Sequence, residues 1–138
     1  MNNLIIGKSQ LVEAPIIPNP AFGLQAFFAD IPNISKGNIK LYGIEAYSAT
    51  QVATSPNGLT VIAAVDVPLL LVTLVTVKNE KIMEDTPYFD LIRANNGGFI
   101  TLLNNYQIDL TKCYVKLQGG GTMSQNDTML FNLYYDLI

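Results

Sequence analysis

The chain contains no histidine and no tryptophan, a single cysteine (Cys113) and a single arginine (Arg93). Without histidine, the commonest general base and metal ligand is missing. Ser-His-Asp and Cys-His arrangements and histidine-containing zinc sites are therefore excluded. One cysteine rules out an internal disulfide. Charge is scarce as well: 14% of residues carry it, against about 25% in an average soluble domain. The apolar share is 49% and the mean hydropathy +0.28. A small globule has much surface per residue, and that surface normally carries charge. Here there is too little to clothe it. Either other chains cover part of the exterior or uncharged polar residues do, and 13 asparagines keep the second option open.

Other absences narrow the function further. The net charge is −3 and no basic run exists, so direct binding to nucleic acid has no electrostatic footing. The most apolar uncharged run, VPLLLVTLVTV at 67–77, has 11 residues, about half of what a helix needs to cross a membrane. No transmembrane segment is expected. MNNLIIGK has a three-residue apolar core with an acid following at Glu13, which does not read as a secretory leader. The acceptor patterns at Asn33-Ile34-Ser35 and Asn126-Asp127-Thr128 then read as accidental.

A length of 138 residues fits one domain. Residues 1–37 stand apart. They hold four of the seven prolines, and APIIPNPAFGLQAFF (14–28) carries no charge. Proline fixes φ and removes a donor, so this stretch reads as an extended N-terminal arm ahead of a sandwich domain at 38–138. It either folds over its own sandwich or docks on a neighbour.

From Asn38 the period is two. In IKLYGIEAY (39–47) the apolar face switches at Gly43, which predicts a β-bulge. LLLVTLVTVK (69–78) is apolar on both faces, the pattern of a central strand. KCYVKLQ (112–118) places Cys113, Val115 and Leu117 on one face. TMLFNLYYDL (128–137) places Met129, Phe131, Leu133, Tyr135 and Leu137 inward. Both fit half-buried antiparallel strands. TPYFDLIRANNGGFITLL (86–103) reads as a helix opening at Thr86-Pro87 or as two runs joined by ANNGG. The helix would be about two turns, marginal alone, so a hairpin is the expectation. Core packing is expected of Phe89, Phe99, Phe131 and Tyr135. No long amphipathic helix is visible. The fold class is all-β: seven or eight short strands with regular turn signals predict an antiparallel β-sandwich or a barrel.

KLQGGGTMSQND (116–127) looks like chemistry and does not hold up. A Walker loop needs Lys and Ser/Thr directly after its last glycine, opening a helix; Thr122-Met123 follow Gly121, and a strand comes next. The dinucleotide pattern needs a third glycine where Ser124 stands. The segment reads as a hairpin connection. Cys113 alternates with core residues, the pattern of an inert buried thiol. The acids Glu84, Asp85, Asp90 and Asp127 form no marked pair of the kind a glycosidase needs, and DTPYFD and SQND lack EF-hand spacing. No catalytic residue, cofactor or metal site is expected, and the chain does not read as an enzyme.

YFDLIRANNGGFITLLNNYQIDLTKCYVKL, a glycine loop, and the final aromatic strand LFNLYYDL together resemble small structural proteins of bacteriophage virions, over residues 86–138. The resemblance implies that the antiparallel β-sandwich is a single jelly roll of about eight short strands, acting as a minor capsid, penton or decoration subunit within a virion. It implies a homo-oligomer that also touches other capsid proteins. The expected partner contacts are Pro15, Ile16, Ile17, Pro18, Pro20, Phe22, Phe27 and Phe28 of the arm, with the outward Tyr114 and Tyr134; tyrosine is favoured at interfaces. On this reading, deleting residues 1–31 leaves the sandwich folded and impairs assembly. The alternative is a carbohydrate- or ligand-binding β-sandwich module using exposed tyrosines, which the lack of tryptophan weakens.

Overall fold

A computed structural model describes residues 8–16, 25–28, 39–118, 123 and 127–137. The strands are β1 (Lys8–Pro15), β2 (Gln25–Phe27), β3 (Ile39–Tyr47), β4 (Thr60–Val61), β5 (Leu70–Val75), β6 (Lys81–Pro87), β7 (Thr101–Ile108), β8 (Tyr114–Leu117) and β9 (Asp127–Leu137). One sheet runs β1-β9-β3-β7, with β4 parallel to the start of β9; the other runs β2-β8-β5-β6. With the two-residue β4 set aside, this is the strand order of a single jelly roll, two packed antiparallel sheets. Among the described residues, no helix is long and apolar enough to cross a membrane.

Sequence patterning accounts for the strands. The β3 register shifts between Leu41 and Gly43 against both its neighbours. This bulge keeps Ile39 and Leu41 before it, and Ile44 and Ala46 after it, all buried. β5 is central, between β8 and β6, and all its residues but Leu71 are buried. Cys113, Val115 and Leu117, and Met129, Phe131, Leu133 and Tyr135, face the core as their alternation predicts. At the centre, Phe131 stacks on Phe28 with centroids 4.7 Å apart and meets Tyr88 edge-on at 5.3 Å.

Three connections differ from the sequence reading. First, the arm expected over residues 1–37 contributes an edge strand to each sheet. β1 pairs with β9 along its whole length, and β2 pairs with β8. Val12, Ala14, Ile16, Ala26 and Phe28 are buried in the core. Proline is tolerated at the end of an edge strand, where no ladder donor is lost, and Pro15 occupies that place. The rest of the arm lies outside the described residues.

Second, residues 86–103 are not a hairpin. β6 and β7 belong to different sheets. Between them lie a one-turn helix α1 (Tyr88–Leu91) and a 3-10 turn (Arg93–Asn95). Third, β8 and β9 also lie in different sheets, so they are not the paired strands of a hairpin; the glycines expected to connect them lie outside the described residues. In this topology only β5 and β6 are both consecutive and paired. Local turn signals report that the chain reverses, not which sheet it reverses into.

Removing residues 1–31 therefore deletes an edge strand from each sheet and uncovers the core beneath Val12, Ala14 and Phe28. The truncated chain is expected to lose its cooperative thermal transition and its near-ultraviolet circular dichroism. A truncated chain that melts cooperatively near the full-length temperature would place both strands outside the folding unit.

Candidate interaction surface

Among the described residues, several large apolar side chains stay exposed, and three cluster on one segment. Phe99 is 73% exposed, Leu102 75% and Tyr106 41%. All belong to β7 or its approach. Residues 94–108 carry no charge at all. The approach is shaped by Gly97 and Gly98, whose φ values of 67° and 86° lie in the left-handed region. From there Ile100 reaches back over the sheet. Its Cδ1 lies 2.9 Å from where a Cβ on Gly43 would sit, and Tyr134 Cβ is 3.4 Å from the same point. The bulge thus places a glycine where this close approach needs one.

β7 leaves its partner in mid-course. Leu41 pairs with Tyr106 and Gly43 with Leu102, so Leu103, Asn104 and Asn105 stand opposite Tyr42 alone. Asn105 takes the left-handed conformation, φ 60°, which asparagine tolerates better than most residues. The strand therefore stands out as a ridge with a groove on each side. One groove, about 880 Å³, lies over the outer face and is lined by Tyr42, Phe99, Ile100, Leu102, Tyr134 and Asp136 among others. The other, about 430 Å³, separates β7 from the start of β6 at Lys81 and Ile82. The Tyr42 hydroxyl is a buried atom with no hydrogen-bond partner. Burial, and then the Asp136 charge, raise its pKa above the usual tyrosine value.

The floor beside the larger groove is polar and closed. Arg93 clasps Glu45 with two bonds, Nε to Oε1 at 3.1 Å and Nη2 to Oε2 at 2.7 Å. Its Nη2 also donates to the Tyr134 hydroxyl at 3.0 Å, and that hydroxyl donates to Glu45 Oε2. Asn132 Nδ2 reaches the same carboxylate at 3.5 Å. Glu45 is 2% exposed, so its charge is desolvated and needs these partners. Hydrogen bonding to Glu45 raises the pKa of Arg93. Burial, followed by Glu45, raises that of Tyr134. Every member is occupied by another, which makes the cluster a clamp holding the 93–98 turn against β3 and β9.

The contact residues expected from sequence fall in several places. Ile16 and Phe28 are buried in the core. Pro15 is half-buried at the end of β1. Phe27 is 49% exposed and packs at 5.9 Å against the half-buried Tyr114, so these two do share one small outer patch. Tyr134 is committed to Glu45 and Arg93, beneath the groove. Ile17, Pro18, Pro20 and Phe22 lie outside the described residues. Phe89 and Phe99, expected in the core, are exposed. Both sit on the crossover from β6 to β7, which alternation rules do not govern. The missed signals were the charge-free run 94–108 and the sole arginine at its head.

Cys113 is fully buried, and its Sγ accepts from Val75 N at 3.3 Å. Burial pushes the thiol up to about 12. Glu84 is paired with Lys81 at 3.0 Å and Asp85 with Lys116 at 3.3 Å.

Two outcomes follow from these environments. Arg93→Met strips a buried carboxylate of its cation and is expected to cost about 1–3 kcal/mol in urea unfolding. Adding Glu45→Gln should recover at least ~1 kcal/mol of that loss, whereas additive effects would deny the clamp. Native Cys113 should resist iodoacetamide at pH 8 and label fully in urea. Its folded pKa is raised from an ordinary 9.0 to about 12. Its contribution to stability is therefore complete below pH 9 and is lost as pH rises toward 12, by at most ~1.4 kcal/mol per pH unit. No family model matches this chain, and no curated protein and no solved structure matches it either.

Proposed function

We propose that this chain is a structural subunit of a viral (phage) particle. It acts as a minor capsid, penton or decoration subunit, by self-assembly and by contact with other capsid chains. The observation that carries the reading is the uncharged ridge at 94–108, with Phe99 73% and Leu102 75% exposed. It stands on a molecule in which 14% of residues are charged. Contiguous apolar patches of a few hundred Å² on small proteins mark contact sites. Jelly rolls serve as capsid subunits and as lectins, so the fold alone does not choose between these roles. The exterior favours the first.

One observation favours a second reading, a carbohydrate- or ligand-binding module. Tyr42, Tyr134, Asn104 and Asp136 line the same groove, and aromatic and planar polar groups are what sugar rings stack on and bond to. A glycan array with the full chain separates the two, since a subunit of a particle gives no saccharide hits.

The main reading is tested on particles purified from the source of this sequence. Quantitative mass spectrometry is expected to find the chain at a constant copy number per particle after stringent washing. Copy numbers that fall to background on washing would overturn it.

A further inference from the structure

The sandwich has four lateral edges, and three of them are guarded. Isolated edges are kept from pairing with other chains by charge, proline, shortness or bulges. β6 carries Lys81, Glu84, Asp85 and Pro87, and its register against β5 shifts twice, with Asp85 at φ 48°. β1 carries the inward, buried Glu13 and ends at Pro15. β2 has three residues. The fourth edge, β7, has eight residues, no charge and no proline; its one interruption is the bulge against β3, with Asn105 at φ 60°. Its last residues are covered within the chain: Val77 N donates to Gln107 O at 3.1 Å, and Asp109 N to Val75 O at 3.2 Å. Over Thr101–Tyr106 no strand among the described residues pairs the outer edge.

We infer that this edge, with the grooves on either side of it, is a two-fold interface that receives β7 of a second copy of this chain. The inference rests on the assembly reading above and names the surface it uses.

Three observations select a second copy as the occupant. The patch presents a knob and a hole side by side: Leu102 and Phe99 stand proud, and the groove of about 880 Å³ lies next to them. A two-fold axis through the ridge lets each copy's knob enter the other's groove, as isologous contacts require. The ridge carries no charge, so bringing it against itself meets no like-charge repulsion, and an antiparallel strand pair is complementary to itself in backbone donors and acceptors. The area is also sufficient. Phe99, Leu102 and Tyr106 expose on the order of 400 Å² between them. Two such patches and their rims reach roughly the 1,200 Å² at the lower end of specific interfaces.

Sedimentation equilibrium on the full chain tests the inference. The wild type should show a concentration-dependent dimer or a larger assembly built on it. Leu102→Lys should weaken that association roughly a hundredfold or more, as for a central contact of an interface, while leaving the melting temperature within a degree or two. Val65→Lys alters a residue 70% exposed elsewhere and should leave the association unchanged. If the wild type associates and Leu102→Lys does so equally, this surface is overturned and the assembly reading stands. A wild type that stays monomeric at several hundred micromolar also overturns it, and constant copy number in particles would then point to contacts with other chains only.

Discussion

One buried phenol holds the exposed surface in register with the core. Tyr88 is fully buried at the start of α1. Its hydroxyl has the Tyr47 and Leu130 carbonyls within reach as acceptors for its one proton, and accepts from Leu130 N at 3.1 Å. Those partners lie on β3 and β9, paired neighbours in the opposite sheet, where Tyr47 stands across from Leu130. The ring meets Phe131 edge-on. A single side chain therefore stitches the crossover from β6 to both central strands of the other layer. Burial drives its pKa far above the ordinary tyrosine range, which keeps the donor protonated wherever the fold is stable. A few residues on, Arg93 repeats the attachment from outside by clasping Glu45 of β3. Between the inner and the outer tie, the turn at 93–98 has little freedom, and the ridge that follows it is presented on a rigid base.

Much of this fold was legible in the chain because the strands obey a period of two with one face dry. The bulge at Gly43, the doubly covered β5, and the inward faces of β8 and β9 could all be read from alternation alone. What alternation could not convey was topology. In a jelly roll nearly every connection changes sheet, so the partner of a strand is far away in the chain and leaves no mark near it. ANNGG and GGG were sound turn signals attached to the wrong partners. The edge strands β1 and β2 escaped for another reason. Proline suppresses strand propensity on average, yet its penalty vanishes at the end of an edge, and Pro15 sits at such an end.

The candidate surface was legible only in outline. Scarcity of charge pointed to covered exterior, and the search for it settled on the conspicuous aromatic residues of the arm. Ile16 and Phe28 proved to be core because the arm there is strand. Conversely, Phe99 was expected in the core and is exposed, because it lies on the crossover that leads into the edge strand β7. Whether an apolar residue is buried depends on what lies opposite, which is a property of tertiary structure and not of spacing. The charge-free run 94–108 was no stronger a signal, since 14–28 and 46–65 lack charge as well; what lies opposite each run decides which one is exposed.

The few charges of the chain acquire a rationale in this light. Arg93 and Glu45 fasten the turn; Lys116 and Asp85 join β8 to β6 across the intervening β5; Lys112 and Asp109 brace the approach to β8; Lys81 and Glu84 lie on the β6 edge. Charge is spent on fastening elements and on guarding an edge, and is withheld from β7. An edge strand left without ions is a hazard for a protein that must remain alone, because it can pair with any other exposed edge. It is an asset for one that must find its own kind, provided the pairing is limited in extent. The bulge at Asn105 supplies that limit. It breaks the strand after a few residues, so β7 can join one neighbour over a short segment but does not present the long, flat edge from which fibrils grow. An unguarded yet interrupted edge is what a finite, closed assembly requires.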